Sequence, residues 1–213
     1  MGLIGRRAML VGLGVAGTGL PAWSMPRQNL VFRVMRKGDD IGRHSLTFTG
    51  DAAQMQVDIN VDIRVGFGPI TLYRYTLRAT ERWRGDVLME MTGTTDDGGT
   101  KDFVTARRQK EQLAVEGSAG KPYLAPVGSI AASHWNRAQL VGPMVNIQDG
   151  ELLDFRVTPK GKEQVNARGR AVAADRYALV GKENLDLWYD PAGVWVGLAA
   201  TGRDGSIITY EQI

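Results

Sequence analysis

Hydrophobic and polar residues alternate along most of this chain. Met55, Val57, Ile59, Val61, Ile63 and Val65 take every second position, with Gln56, Asp58, Asn60, Asp62 and Arg64 between them. A period of two predicts a strand with one apolar and one wet face. The same alternation predicts strands at Leu30–Arg36, Ile41–Thr49, Ile70–Trp83, Val87–Thr95 and Thr100–Arg108. It resumes at Glu151–Thr158, Arg170–Val180, Leu185–Tyr189, Val194–Ala200 and Ser206–Glu211.

Turn chemistry separates these runs. Lys37-Gly38-Asp39-Asp40, Gly50-Asp51, Gly66-Phe67-Gly68-Pro69, Arg84-Gly85-Asp86 and Asp96-Asp97-Gly98-Gly99 break the first half. Asp149-Gly150, Pro159-Lys160-Gly161-Lys162, Pro191-Ala192-Gly193 and Arg203-Asp204-Gly205 break the second. Asp and Gly supply the positive φ angles that tight hairpins need. Short strands at near-even spacing point to an all-β fold: an antiparallel meander forming a strongly curved sheet or a closed barrel of about 10–14 strands. Two stretches depart from the pattern. Gly117–Gly128 is rich in Gly and Pro and reads as a loop. Ser129–Leu140 has helical spacing, with Ser129 as a cap, and is expected to be one short helix that crosses over or plugs the curved sheet.

Residues 1–24 follow a different logic. Arg6 and Arg7 precede an uncharged run, Ala8–Leu20, and Ala22 and Ser24 are small residues at the positions a signal peptidase accepts. The run is too short for a membrane span, which needs about 20 residues. The paired arginines suggest the twin-arginine (Tat) route, although Gly5 stands where that pattern usually has Ser or Thr. The expectation is a signal peptide cleaved after Ser24, a single β-barrel-like domain over residues 25–213, and a periplasmic or secreted product. Its partners in transit would be the Tat export machinery and signal peptidase. No later apolar run is long enough for a stable membrane span.

Charge and composition narrow the chemistry. The chain has 26 basic and 23 acidic residues; without Arg6 and Arg7 the balance is 24 against 23, net +1. That is no nucleic-acid footprint. Cysteine is absent, which rules out thiol catalysis and thiolate metal sites. The two histidines, His44 and His134, lie in no metal-binding pattern, and no nucleophile elbow occurs. Neither a metal nor a cofactor is expected. Gly66-Phe67-Gly68 opens no helix and is no dinucleotide fingerprint.

The candidate residues are aromatic or stand beside aromatics. His134-Trp135-Asn136, next to the Gly/Pro-rich stretch, reads as a mouth or lid. Glu81 beside Trp83, and Asp186 and Asp190 flanking Trp188-Tyr189, are the most distinctive acids. Such rings fill a barrel core or line a cavity for an apolar ligand. A carboxylate-dependent hydrolase needs two acids converging in a cleft.

Several segments carry a resemblance: Asp40-Ile41-Gly42-Arg43-His44, Tyr73-Arg74-Tyr75 through Glu81-Arg82-Trp83, Thr95-Asp96-Asp97-Gly98-Gly99, Ser133-His134-Trp135-Asn136, and Asp186-Leu187-Trp188-Tyr189-Asp190 followed by Trp195. Together they resemble a family of exported bacterial proteins of unknown function. In outline the chain is similar to exported curved-sheet proteins, some of which carry lipids or lipoproteins. The resemblance implies no catalytic residues. The expected function is non-enzymatic: a periplasmic binding or carrier protein whose barrel interior holds an apolar or lipid-like molecule, with His134, Trp135, Asn136, Glu81, Trp83, Trp188, Tyr189 and Asp190 as candidate contacts. The alternatives are an envelope assembly protein without a ligand cavity, recognisable by an exposed apolar patch or open edge strand, and the hydrolase.

Overall fold

The computed structural model describes residues 28–67, 70–202 and 204–213. The expected signal peptide, Met1–Ser24, lies outside them. The strands are β1 (Leu30–Arg36), β2 (Asp39–Gly50), β3 (Gln54–Phe67), β4 (Ile70–Arg84), β5 (Val87–Asp97), β6 (Thr100–Gln109), β7 (Gln112–Gly117) and β8 (Gly120–Leu124). A crossover follows, with β9 (Ile130–Ala131), a 3-10 turn (Arg137–Leu140), β10 (Met144–Val145) and β11 (Leu152–Leu153). The chain then continues through β12 (Arg156–Ala167), β13 (Arg170–Val180), β14 (Asn184–Tyr189), β15 (Trp195–Thr201) and β16 (Ile207–Gln212).

Thirteen strands form one antiparallel sheet in the order β12-β13-β14-β15-β16-β1-β2-β3-β4-β5-β6-β7-β8. Two meanders are therefore stitched together where β16 pairs with β1, Phe32 opposite Gln212. The sheet is not closed, because β12 and β8 are its two edges. The alternation works as the sequence predicts: Val57, Ile59, Val61 and Ile63 on β3 face inward beside Leu77, Ala79 and Trp83 on β4.

A sheet so long leaves a wide apolar face to cover. The crossover between β8 and β12 covers it, burying Ala125, Ile130, Ala131, Trp135, Met144, Val145 and Ile147 in the same core. Its backbone lies so close to the sheet that side chains are excluded. A Cβ at Gly93 on β5 would stand 2.1 Å from the Ile147 carbonyl oxygen, and one at Gly117 on β7 would stand 2.1 Å from that of Asp149. The contact is hydrogen-bonded too: Ala125 N–H donates to Leu113 O at 2.8 Å and Ala119 N–H to Asp149 O at 3.0 Å.

Three local expectations need correction. The helix predicted over Ser129–Leu140 is only the 3-10 turn at its end. Ile130 and Ala131 pair instead in parallel with Met144 and Val145, and Asn136, not Ser129, caps the turn. The Gly117–Gly128 stretch contains β8, paired with β7. Pro159–Lys162 is no hairpin turn but a bulge inside β12. Proline fits there because β12 is an edge strand and need not donate outward.

Both edges carry features that discourage further pairing: Lys121 and Pro122 on β8; Pro159, Lys160, Lys162 and the bulge on β12. The β12–β13 hairpin also rolls over. Ala167, Ala174 and Val196 form a second small core with Val165, Val172 and Trp188.

Gly93→Ala tests the close approach of the crossover. Overpacking of this kind costs about 1–3 kcal/mol, whereas Gly120→Ala, with open space around it, is expected to change stability by less than about 0.5 kcal/mol. Denaturant melts of the two variants check this; equal stability would show that the crossover does not press on Gly93.

Candidate functional site

Glu81 occupies an inward position of β4, between Ala79 and Trp83, where the pattern calls for an apolar residue. It is fully buried. Its Oε2 accepts hydrogen bonds from the indole N–H of Trp83 at 2.8 Å and of Trp135 at 3.0 Å. The two indoles meet edge to face, centroids 5.4 Å apart, and Phe48 closes on Trp135 at 5.3 Å. Burial pushes the carboxyl above the usual carboxylate range, against the neighbouring Ser133 hydroxyl and the two indoles, which favour the charged form. Glu81 thus joins the sheet to the crossover.

His134 follows at once on the crossover. It is half-buried with φ +69°, in the left-handed region that non-glycine residues seldom occupy. Its ring lies 5.5 Å from that of Trp195, and His44 from β2 lies 5.3 Å from the same indole. The chain's two histidines, ninety residues apart, therefore flank one tryptophan. Burial lowers His44 to about 3, with a contribution from the charge of His134, and lowers His134 to about 4 against a hydrogen bond with Gln139. Phe32 and Tyr210 complete the aromatic cluster around His44 and Trp195. Tyr189 O–H donates to the His134 carbonyl at 2.7 Å and accepts from Gln139 Nε2 at 2.7 Å. Asn136 Oδ1 accepts from Ala138 N–H at 3.0 Å, capping the 3-10 turn.

The remaining candidates lie elsewhere. Trp188 donates to Glu163 at 3.1 Å beneath the Arg176 guanidinium, in the small second core. Asp190 accepts from Ala192 and Val194 N–H and from Arg168, tying the β14–β15 turn to the tip of the β12–β13 hairpin. The eight candidates thus fall into three places. Glu81, Trp83 and Trp135 form one cluster, His134, Asn136 and Tyr189 border another, and Trp188 and Asp190 stand apart. Among the described residues no group of three His, Cys, Asp or Glu could hold a metal ion.

Sequence reasoning passed over the opposite face of the sheet. There a groove of about 570 Å³ runs over β5–β8, walled by Ala114, Pro122 and Leu124 and bordered by Glu90, Arg107 and Glu116. Thr92 joins it to a smaller hollow of about 220 Å³ lined by Asp58, Asn60 and Arg78. Thr80, Thr92 and Thr105 stand opposite one another in a cross-strand row between the two. Glu90 accepts from Arg82 at 2.9 Å and from Arg107 at 3.0 Å, which fixes both guanidiniums along the rim. Leu124, 55% exposed at the edge of a polar sheet face, is the residue that could have signalled the groove.

The histidines set a pH dependence. Each has an unfolded value near 6.5 and a lower folded one, so the unfolded chain binds more protons below that pH. Stability therefore falls as the pH drops, by about 1.4 kcal/mol per pH unit for each histidine. Glu81 acts in the opposite sense: its raised carboxyl makes the folded state lose stability as pH rises through its folded value. His44→Gln is expected to remove about 1.4 kcal/mol per pH unit from the slope between about pH 6 and pH 4, measured by urea melts. An unchanged slope would mean that His44 titrates in the folded protein as it does in water.

A family model described as "Domain of unknown function (DUF6134)" matches residues 32–212. A search of curated proteins gives no match. Among solved structures, the chain is similar to the crystal structure of a beta-barrel-like protein of domain of unknown function DUF1849 from Brucella abortus. The TM-score is 0.59 at 10% identity, over 87% of this chain and 94% of that one. At that identity the likeness concerns the fold alone. With the family model spanning nearly all of the described strands, the chain belongs to the DUF6134 family.

Proposed function

We propose that this chain is a non-enzymatic binding protein of the cell envelope that takes an apolar or amphipathic, lipid-like molecule in the groove over β5–β8. The groove itself carries this reading. Its volume, about 570 Å³, falls within the roughly 300–1,000 Å³ usual for small-molecule sites. Apolar Ala114, Pro122 and Leu124 stand on one side of it and the Glu90–Arg107 ion pair on the other. That asymmetry suits a ligand with an apolar body and a polar end.

The geometry also weighs on the alternatives. Trp135, Trp195, Tyr189 and Phe32 pack in the core, so the sheet's apolar face, the interior expected from the sequence to hold the ligand, is occupied by the protein's own rings. Glu81, the carboxyl with the raised value, is held in that core by two indoles, a poor position for hydrolysis. The protected edges weigh against assembly by strand addition. The reading of residues 1–24 as an export signal supports the envelope as the compartment. Among the described residues no helix is long and apolar enough to cross a membrane.

Titration of the full chain with a dansyl-labelled fatty acid tests the groove. Leu124→Glu is expected to weaken binding at least about tenfold, since burying a leucine is worth roughly 1.5–3 kcal/mol. Binding unchanged by Leu124→Glu, or no binding by the unaltered chain, would remove the groove from consideration.

A further inference from the structure

β3 and β4 extend beyond both neighbours. The pairing of β2 with β3 stops at Gly42 and Ile63, and that of β5 with β4 stops at Asp97 and Tyr75. Past those points the β3–β4 ladder continues as a two-stranded ribbon, tied to the end of β5 and its turn by Gly98 N–H donating to Arg74 O at 2.8 Å and by Tyr73 O–H donating to Asp97 at 2.6 Å. On this ribbon Arg64 and Arg74 stand directly opposite one another, both exposed. Neither has an ion-pair partner among the described residues. Further along the same face of β4, Arg78 is matched by Asp62 and Arg82 by Glu90. Like charges directly opposite destabilise a strand pair, so the fold keeps a repulsion here that it relieves further along.

Leu72 stands beside this pair, where the register shifts, and is 71% exposed. From Val65 to Tyr73 the sequence has no charge. Two unmatched guanidiniums and a projecting leucine form a basic collar around an apolar point.

We propose that the β3–β4 ribbon docks on an anionic lipid surface. Arg64 and Arg74 would meet headgroup phosphates, whose geometry suits the guanidinium fork, and Leu72 would enter the acyl boundary. The charge complementarity is direct, because the bilayer supplies the anions that the chain itself does not. An acidic protein or a nucleic acid would satisfy the arginines and leave Leu72 in water. The inference rests on the ribbon alone and stands apart from the groove over β5–β8.

The test is sedimentation of the full chain with phosphatidylcholine vesicles, with and without phosphatidylglycerol, so that residues 1–24 are the same in every sample. The chain is expected to prefer the anionic vesicles. The double variant Arg64→Gln, Arg74→Gln should lose roughly fivefold per charge removed, and Leu72→Asp should also lose binding. The double variant should melt no lower than the unaltered chain, since a cross-strand repulsion has gone; this separates lost docking from lost folding. Equal binding by all three proteins, or no preference for anionic vesicles, overturns the inference. So does displacement by millimolar inorganic phosphate, which would assign the arginines to a free anion.

Discussion

One buried carboxylate joins the two parts of this molecule. Glu81 belongs to the sheet, Trp135 belongs to the crossover, and the indole of Trp135 reaches a carboxyl oxygen already shared with Trp83. A carboxyl at an inward strand position is costly unless its oxygens are satisfied. Two indole donors to Oε2 offset part of that cost, while Oε1 has no hydrogen-bond partner among the described residues, and in doing so they fix where the crossover lies. The close approach at Gly93 and Gly117 and the placing of His134 against Trp195 accompany that registration. The open sheet can dispense with closure because its apolar face is covered from within the chain.

This covering directs attention to the other face. Aromatic residues that could have lined a ligand cavity are consumed as core: Trp135, Trp195, Tyr189 and Phe32 all pack inside. The polar face of β5–β8, usually the uninteresting side of an antiparallel sheet, has the recess. Pro122 and Leu124 of the short edge strand β8 line it together with Thr92 and Thr105. The sheet thus serves as a scaffold whose inner surface is spent on stability and whose outer surface is available for contact.

Much of the fold could be read from the sequence because strand periodicity is local. Val57 to Ile63 alternate whatever the rest of the chain does, and Asp-Gly turns act over four residues. The crossover was less legible. Its alanines have helical spacing, but Ala131 is engaged by Val145 fourteen residues later, and tertiary pairing overrides that local preference. Pro159 reads as a turn unless one knows that its strand is an edge. The same limit divided the candidate site. Glu81 and Trp83 are two residues apart and could be singled out together, whereas Trp135 reaches them across more than fifty residues. Trp188 and Tyr189 are adjacent and so point to opposite faces of their strand, which is why one helps to build the outer core and the other the inner. The groove depends on how β5 to β8 twist together, and no single segment encodes that.

Hydrogen exchange at the indole N–H of Trp135, followed by NMR beside that of Trp83 in the unaltered protein and in Glu81→Leu, tests the union of sheet and crossover most directly. In the unaltered protein both indoles should exchange only when the whole fold opens. Removing the carboxyl should release Trp135 while the β4 amides stay protected. Rapid exchange of Trp135 with Glu81 in place would contradict the claim that this carboxylate holds the crossover to the sheet.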